Sequence, residues 1–216
     1  MGLMRGAAHR SLARAPRELG LAVALVLCLA GLSGCISTFS ELQGGRLLGP
    51  RRYELTPAYS VVNRESGGSS DTRYGLLAGA GLADGLDLRG RYERVEGDNG
   101  FNVVGLGPKV ALVPGHLALF TPVGFAFGGG LDAGDTVELH PTVLWTCPLA
   151  AGLELTGSGK ALLRKGDDLL ALNVGLGVGP HLSKLAVRSE VGVLVNPLEG
   201  GYHRHLSVGL AFGWPR

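Results

Sequence analysis

Residues 170–179 read Leu-Ala-Leu-Asn-Val-Gly-Leu-Gly-Val-Gly. In an extended chain, Leu170, Leu172, Val174, Leu176 and Val178 fall on one face, and Ala171, Asn173, Gly175, Gly177 and Gly179 fall on the other. A helix of 3.6 residues per turn would scatter both sets around its axis. The last stretch repeats the pattern, with Leu206, Val208, Leu210, Phe212 and Trp214 interleaved with His205, Ser207, Gly209, Ala211 and Gly213. Between the two, Leu185, Val187, Val191, Val193 and Val195 interleave with Arg188, Glu190 and Gly192. No helix-length pattern competes after residue 50.

Working outward, this period predicts an all-β chain of about ten strands, near residues 52–62, 72–82, 86–95, 101–113, 116–127, 136–147, 153–162, 169–178, 185–195 and 202–214. Each is close to the roughly 9 to 11 residues that a tilted membrane strand needs, and eight strands is the smaller alternative. Connections after even strands are tight, as in Ala83-Asp84-Gly85 and Pro114-Gly115; those after odd strands are longer, as in 63–71 and 128–135. Short turns at one end and long loops at the other are the layout of an antiparallel up-and-down transmembrane β-barrel. An even strand count returns the carboxy terminus to the side of the short turns, the periplasmic side of such a barrel.

Composition agrees with one such domain. Of 216 residues, 45% are hydrophobic and 18% charged, enough apolar surface for a single unit. The 37 glycines have no three-residue period and sit inside apolar runs, which excludes collagen-like and disordered readings. All five tyrosines (Tyr53, Tyr59, Tyr74, Tyr92, Tyr202) and both tryptophans (Trp145, Trp214) share the large apolar face. Interfacial aromatic girdles need that placement, so the apolar face points to lipid, whereas in a soluble barrel it would point inward.

The other face then lines the lumen. It collects Arg73, Arg89, Arg91, Lys109, Lys160 and Arg188 with Glu54, Asp87, Glu93, Glu138, Glu154 and Glu190. Neither sign dominates, as it would in an ion-selective pore, so the expectation is a salt-bridged, largely plugged lumen. Asp87, Arg89, Arg91 and Glu93 all belong to the third strand, and buried charges need partners, expected here on neighbouring strands. This favours a structural or interaction protein of the envelope. A narrow channel for small solutes is the alternative.

An enzyme is the third reading. If residues 196–201 form a loop, Gly192 lies opposite His205 and Glu190 opposite Ser207, gathering His205, Ser207, Glu190 and His203 on one inward patch. A histidine between a hydroxyl and a carboxylate can activate a nucleophile, as a lipid-modifying acyl hydrolase or transferase requires. His140 near Glu138 is a weaker pair of the same kind. His203 and His205 share a face without further ligands, so neither a metal site nor a cofactor is expected.

The amino terminus has a different character. Residues 1–18 contain Arg5, Arg10, Arg14 and Arg17, followed by an uncharged apolar run from Leu19 to Leu32. That is the layout of a secretory signal, and the run falls short of the roughly 20 residues of a spanning helix. Leu32-Ser33-Gly34-Cys35 resembles the lipobox of bacterial lipoproteins. The resemblance implies cleavage between Gly34 and Cys35 and a diacylglycerol on the Cys35 thiol. Ile36, in place of the aspartate of inner-membrane lipoproteins, implies export to the outer membrane. Residues 1–34 thus read as a signal peptide, 35–50 as a lipidated tether starting on the periplasmic side, and 51–216 as the barrel.

Over roughly residues 51–214 the pattern resembles the small outer-membrane β-barrel proteins of Gram-negative bacteria. It departs from them at its end, where Pro215 and Arg216 follow Trp214, while such barrels finish on an aromatic.

Removing the four arginines and Glu18 of the signal from totals of 20 basic and 18 acidic residues leaves 16 and 17. Without a basic stripe, nucleic acid is excluded as a partner. Glu65, Asp71, Glu96, Asp98, Asp132, Asp135, Asp167, Asp168 and Glu199 outnumber Arg64, Arg164 and Lys165 in the long loops. An acidic rim suits divalent cations that bridge lipopolysaccharide, so outer-membrane lipid, lipopolysaccharide and envelope proteins are the expected partners of a monomeric barrel. Cys28 leaves with the signal and Cys35 carries lipid, so Cys147 stands alone, with no disulfide framework. Trp145, Thr146, Pro148 and Leu149 offer it no base, and it reads as a small apolar surface residue.

Overall fold

The computed structural model describes residues 40–64, 70–97, 100–129, 137–163, 169–179, 184–195 and 202–215. Cys35, Gly34, the signal and most of the acidic loop residues lie outside them; Asp71 and Glu96 are inside. Twelve strands form one antiparallel sheet: β1 Arg52–Arg64, β2 Asp71–Ala83, β3 Leu86–Glu96, β4 Phe101–Val113, β5 Leu117–Phe120, β6 Val123–Phe127, β7 Val137–Leu139, β8 Thr142–Ala150, β9 Leu153–Leu162, β10 Leu169–Val178, β11 Ala186–Val195 and β12 Tyr202–Pro215. The order β3-β2-β1-β12-β11-β10-β9-β8-β5-β4-β6-β7, with β3 also paired to β4, closes the sheet on itself.

β5 and β6 are one stave interrupted at Thr121-Pro122, and β7 and β8 are one stave interrupted at His140-Pro141. Proline has no N–H to give to the ladder, so each break falls where the chain cannot donate. Hydrogen bonds from Thr121 N to the Pro108 carbonyl, His140 N to the Pro122 carbonyl and Ala161 N to the Pro141 carbonyl carry the wall across the breaks. The fold is therefore an up-and-down barrel of ten staves, the larger of the two counts the period allowed. The first connections after even staves are tight: Gly85 and Gly115 adopt φ of 83° and 78°, a region that costs a glycine little. The connection from β10 to β11, residues 179–185, is longer than that rule predicts.

Alternation sets the two surfaces. On β10, Leu172 and Val174 are 50% exposed, while Asn173 between them is 3% exposed. Around the barrel Leu106, Leu112, Val191, Leu206 and Phe212 are likewise exposed, giving the apolar exterior of a membrane-spanning barrel. Tyr53 and Trp214 stack at the turn end, whereas Tyr74, Tyr92 and Tyr202 sit toward the loop end. Cys147 is exposed on the outward face.

Candidate functional site

The inward face is short of bulk. Gly79, Gly81, Gly105, Gly107, Gly175, Gly177 and Gly209 occupy inward positions on β2, β4, β10 and β12. Side chains normally fill a barrel of about this size. Here a piece of the chain does so instead. Residues 40–50, expected as a tether outside the barrel, run inside it: Glu41 is completely buried, and Leu42, Gln43 and Leu48 are buried. Extended backbone left in an apolar or empty lumen would carry unpaired polar groups, so it is stable there only because the wall supplies partners.

The partners come in sequence from mid-barrel to the turn end. Glu190, in the middle of β11, accepts the N–H of Glu41 at 2.9 Å and of Leu42 at 3.0 Å, one on each carboxylate oxygen. Leu42 takes a φ of 45°, and its carbonyl accepts from Arg188 at 2.9 Å. Lys109 on β4 donates to the carbonyls of Gly44 at 2.6 Å and Arg46 at 2.7 Å. Gly45 N–H donates to Thr146 Oγ1 at 2.8 Å. Asp87, two residues above the Gly85 turn, accepts the Leu48 N–H on both oxygens. Arg51 N–H then bonds the Gly81 carbonyl as the chain leaves the lumen and turns into β1.

Glycine makes the passage wide enough. A Cβ on Gly45 would overlap the backbone carbonyls of His116 and Leu144, one on Gly44 would overlap Thr146, and one on Gly81 would overlap the backbone of Gly49.

Two ionic clusters fix the segment. In mid-lumen, Glu41 pairs with Arg91 on β3 and Lys160 on β9, each at 2.6 Å, and accepts from Gln43 at 3.0 Å. Near the turn end, Glu54 on β1 receives Arg89 at 2.8 Å and Arg188 at 2.5 Å, while Arg89 also holds Asp87 at 3.0 Å. Arg46 of the segment pairs with Glu154 at 3.2 Å. Of the remaining inward charges, Arg73 meets Glu93 at 3.7 Å and Glu138 meets His140 at 2.7 Å.

All twelve inward charges projected from the sequence point into the lumen. Their pairing differs from the expectation. Among the ion pairs of the described residues, Arg73–Glu93 joins the neighbouring staves of β2 and β3, and the longer His205–Glu190 contact joins those of β12 and β11. Arg89 and Arg188 cross to Glu54, and Arg91 and Lys160 converge on a residue of the threaded segment. The reason is reach. Arginine and lysine stems of three and four methylenes on opposite walls meet near the axis, and that is where the segment lies. Among the described residues, Leu42, Gln43, Glu54, Arg89 and Arg188 line two small cavities of about 30 Å³ and 10 Å³ beside the segment, each with room for no more than a few waters, while a wider hollow of about 740 Å³ opens at the turn-end rim between Leu48, Gly85 and Gly115.

The last hairpin has the expected register, Glu190 opposite Ser207 and Gly192 opposite His205. His205 Nδ1 lies 2.9 Å from Ser207 Oγ, but its Nε2 is 3.0 Å from Asn173 Oδ1 and 4.0 Å from Glu190. The carboxylate that would orient the histidine is occupied by the backbone of Glu41 and Leu42, and Ser207 is only 1% exposed. Proximity exists, but Ser207 is buried and Glu190, 4.0 Å from the ring, already holds two backbone N–H groups. The His140–Glu138 pair is buried as well. Among the described residues, no three His, Cys, Asp or Glu side chains gather in a metal-binding group.

Glu41, Gln43 and Leu48 escaped the sequence reading because the segment lacks any period. The sequence signal that pointed to it is the inward glycine excess, which leaves a lumen that the wall alone does not fill.

No protein-family model matches the chain, and none of the curated proteins does. Among solved structures it is similar to the N-terminal β-barrel domain of Pseudomonas aeruginosa OprF, with 13% identity over 76% of this chain and 99% of that chain and a TM-score of 0.34. It is also similar to Ail, the attachment invasion locus protein of Yersinia pestis, with 13% identity over 76% and 99% and a TM-score of 0.35. A third is the KdgM porin, with 10% identity over 73% and 98% and a TM-score of 0.39.

Proposed function

We propose that this chain is an outer-membrane lipoprotein, anchored through Cys35, whose barrel is a closed scaffold that presents its loops to lipopolysaccharide and envelope proteins. The observation that carries the reading is the threaded segment. A peptide whose backbone is bound by Glu190, Lys109, Thr146 and Asp87 obstructs the lumen at that level. This argues against a solute channel. The buried and partnered state of His205 and Ser207 argues against an acyl hydrolase. The apolar exterior and the aromatics near both strand ends support membrane insertion, and the lipobox supports export. On this reading the short turns and the carboxy terminus are periplasmic.

Metabolic labelling with an alkyne fatty acid tests the anchor, and membrane fractionation with boiled and unboiled gel samples tests the barrel. Wild-type protein is expected in the outer-membrane fraction, heat-modifiable and labelled, and Cys35→Ala is expected unlabelled at the size of the unprocessed chain. Unlabelled wild-type protein would remove the lipid anchor. Soluble wild-type protein without a mobility shift would remove the membrane barrel.

A further inference from the structure

Arg204 is a cation on the outward face of the wall, exposed on the same side of β12 as Leu206 and only two residues from the loop end of that strand at Tyr202. Both of its partners among the described residues belong to Tyr202: the hydroxyl accepts from the guanidinium at 2.9 Å, and the ring centroid lies 4.8 Å away. Neither is an anion. Arg94, at the loop end of β3, is instead held by Glu96 at 3.2 Å. A cation on the lipid side of a barrel costs more the deeper it lies, and near the interface an anionic headgroup can supply the missing counter-charge.

The wall beside Arg204 is shaped for the rest of such a molecule. The register sets Leu206, Val191, Val174, Gly157 and Trp145 side by side on successive staves of the outward face. Asn63, Arg204, Val193 and Leu172 form the next row toward the loops. The short valines make a shallow floor between two long side chains, Arg204 at one end and Trp145 at the other. Gly157 lets the indole lie down against the wall, since a Cβ there would overlap the Trp145 ring. An open hollow of about 750 Å³ follows these rows and is lined by both Arg204 and Trp145. That falls inside the roughly 300–1,000 Å³ of small-ligand sites. Trp145 lies five residues from Ala150, the turn end of β8, so the floor descends from the loop-end interface into the apolar band. Four strand spacings separate its ends, roughly 19 Å, against roughly 15 Å for the acyl chains of one leaflet.

We propose that this hollow binds one phosphorylated, multiply acylated lipid of the outer leaflet, lipid A, with a phosphate on Arg204 beside the exposed Asn63 carboxamide and an acyl chain along Val193, Val191 and Val174 toward Trp145. Any lipid chain covers valines equally well, so the floor accepts and the guanidinium selects. The site rests on the membrane reading and orientation above, and it adds a contact on the wall to the loop contacts with lipopolysaccharide.

Native mass spectrometry of the folded, purified protein titrated with bisphosphorylated lipid A reads the site. Wild-type protein is expected to retain one lipid A against an equal concentration of phosphatidylglycerol, and to bind dephosphorylated lipid A roughly tenfold more weakly. Arg204→Gln should weaken retention of lipid A by a similar factor. Val191→Trp fills the floor and leaves the charge, and it should weaken retention as well. Arg94→Gln, which removes a cation already paired with Glu96, should match wild type. Equal retention by Arg204→Gln and wild type, or equal weakening by Arg94→Gln, overturns the site. Boiled and unboiled gel samples of the same preparations keep the two readings apart: a heat-modifiable wild-type protein that retains no lipid A removes the site and leaves the barrel, whereas protein without a mobility shift removes the barrel and the site with it.

Discussion

Glu41→Ala is expected to destabilise the folded barrel by about 3–5 kcal/mol, the usual cost of removing one partner from a buried ionic cluster. The substitution takes a carboxylate from two buried cations at once. Arg91 and Lys160 both lie 2.6 Å from this carboxylate, and their side chains are 2% and 0% exposed. Neither can turn to water while the segment is in place. Glu41→Gln keeps the shape and part of the hydrogen bonding, so its loss should be smaller. Urea unfolding of protein refolded into lipid vesicles, followed through Trp145 and Trp214, measures both. A Glu41→Ala midpoint equal to wild type would mean that Glu41 is not at the centre of the cluster.

The second large effect is expected at Glu54→Ala. Glu54 joins three parts of the molecule: Arg89 from β3, Arg188 from β11, and through Arg188 the carbonyl of Leu42. Removing it leaves Arg89 with Asp87 and Arg188 with the Leu42 carbonyl as their partners among the described residues, one carboxylate for two guanidiniums. Because the Arg188 side chain is 21% exposed, water relieves part of the cost, which places the loss near the lower end of about 3–5 kcal/mol. The same unfolding assay gives the ranking, with Glu41→Ala below Glu54→Ala and both below wild type. Arg188→Met in the Glu54→Ala background should recover stability by removing the stranded cation. A double variant no more stable than Glu54→Ala would show that the pairing is not what holds this end closed.

Much of the barrel is legible in the sequence because a strand in a membrane wall obeys a strict period of two, and Leu170 to Gly179 displays it without interruption. The register of the last hairpin follows from the same parity and a loop length, and Glu190 meets Ser207 as expected. Parity also sends each of Arg73, Asp87, Arg89, Arg91, Glu93, Lys109, Glu138, Arg188 and Glu190 inward. It cannot say which charge meets which across the lumen. That depends on the barrel diameter and on what lies along its axis, and Arg91 reaches a residue fifty positions away in a segment with no period at all. The breaks at Pro122 and Pro141 were likewise hidden, since the staves on either side keep their parity and the neighbouring backbone closes the gaps.

The chain obstructs its own lumen with residues 40–50. Planar-bilayer recording of the purified wild-type protein beside a variant lacking residues 40–48 tests it most directly. Deletion removes the backbone bound by Glu190, Lys109, Thr146 and Asp87 and leaves these side chains to be solvated, so water and ions should enter a lumen lined by both signs of charge. Wild-type protein is expected to be silent, and the deletion variant to give stable unitary conductance steps. Wild-type protein that conducts with the same unitary steps as the variant would contradict it.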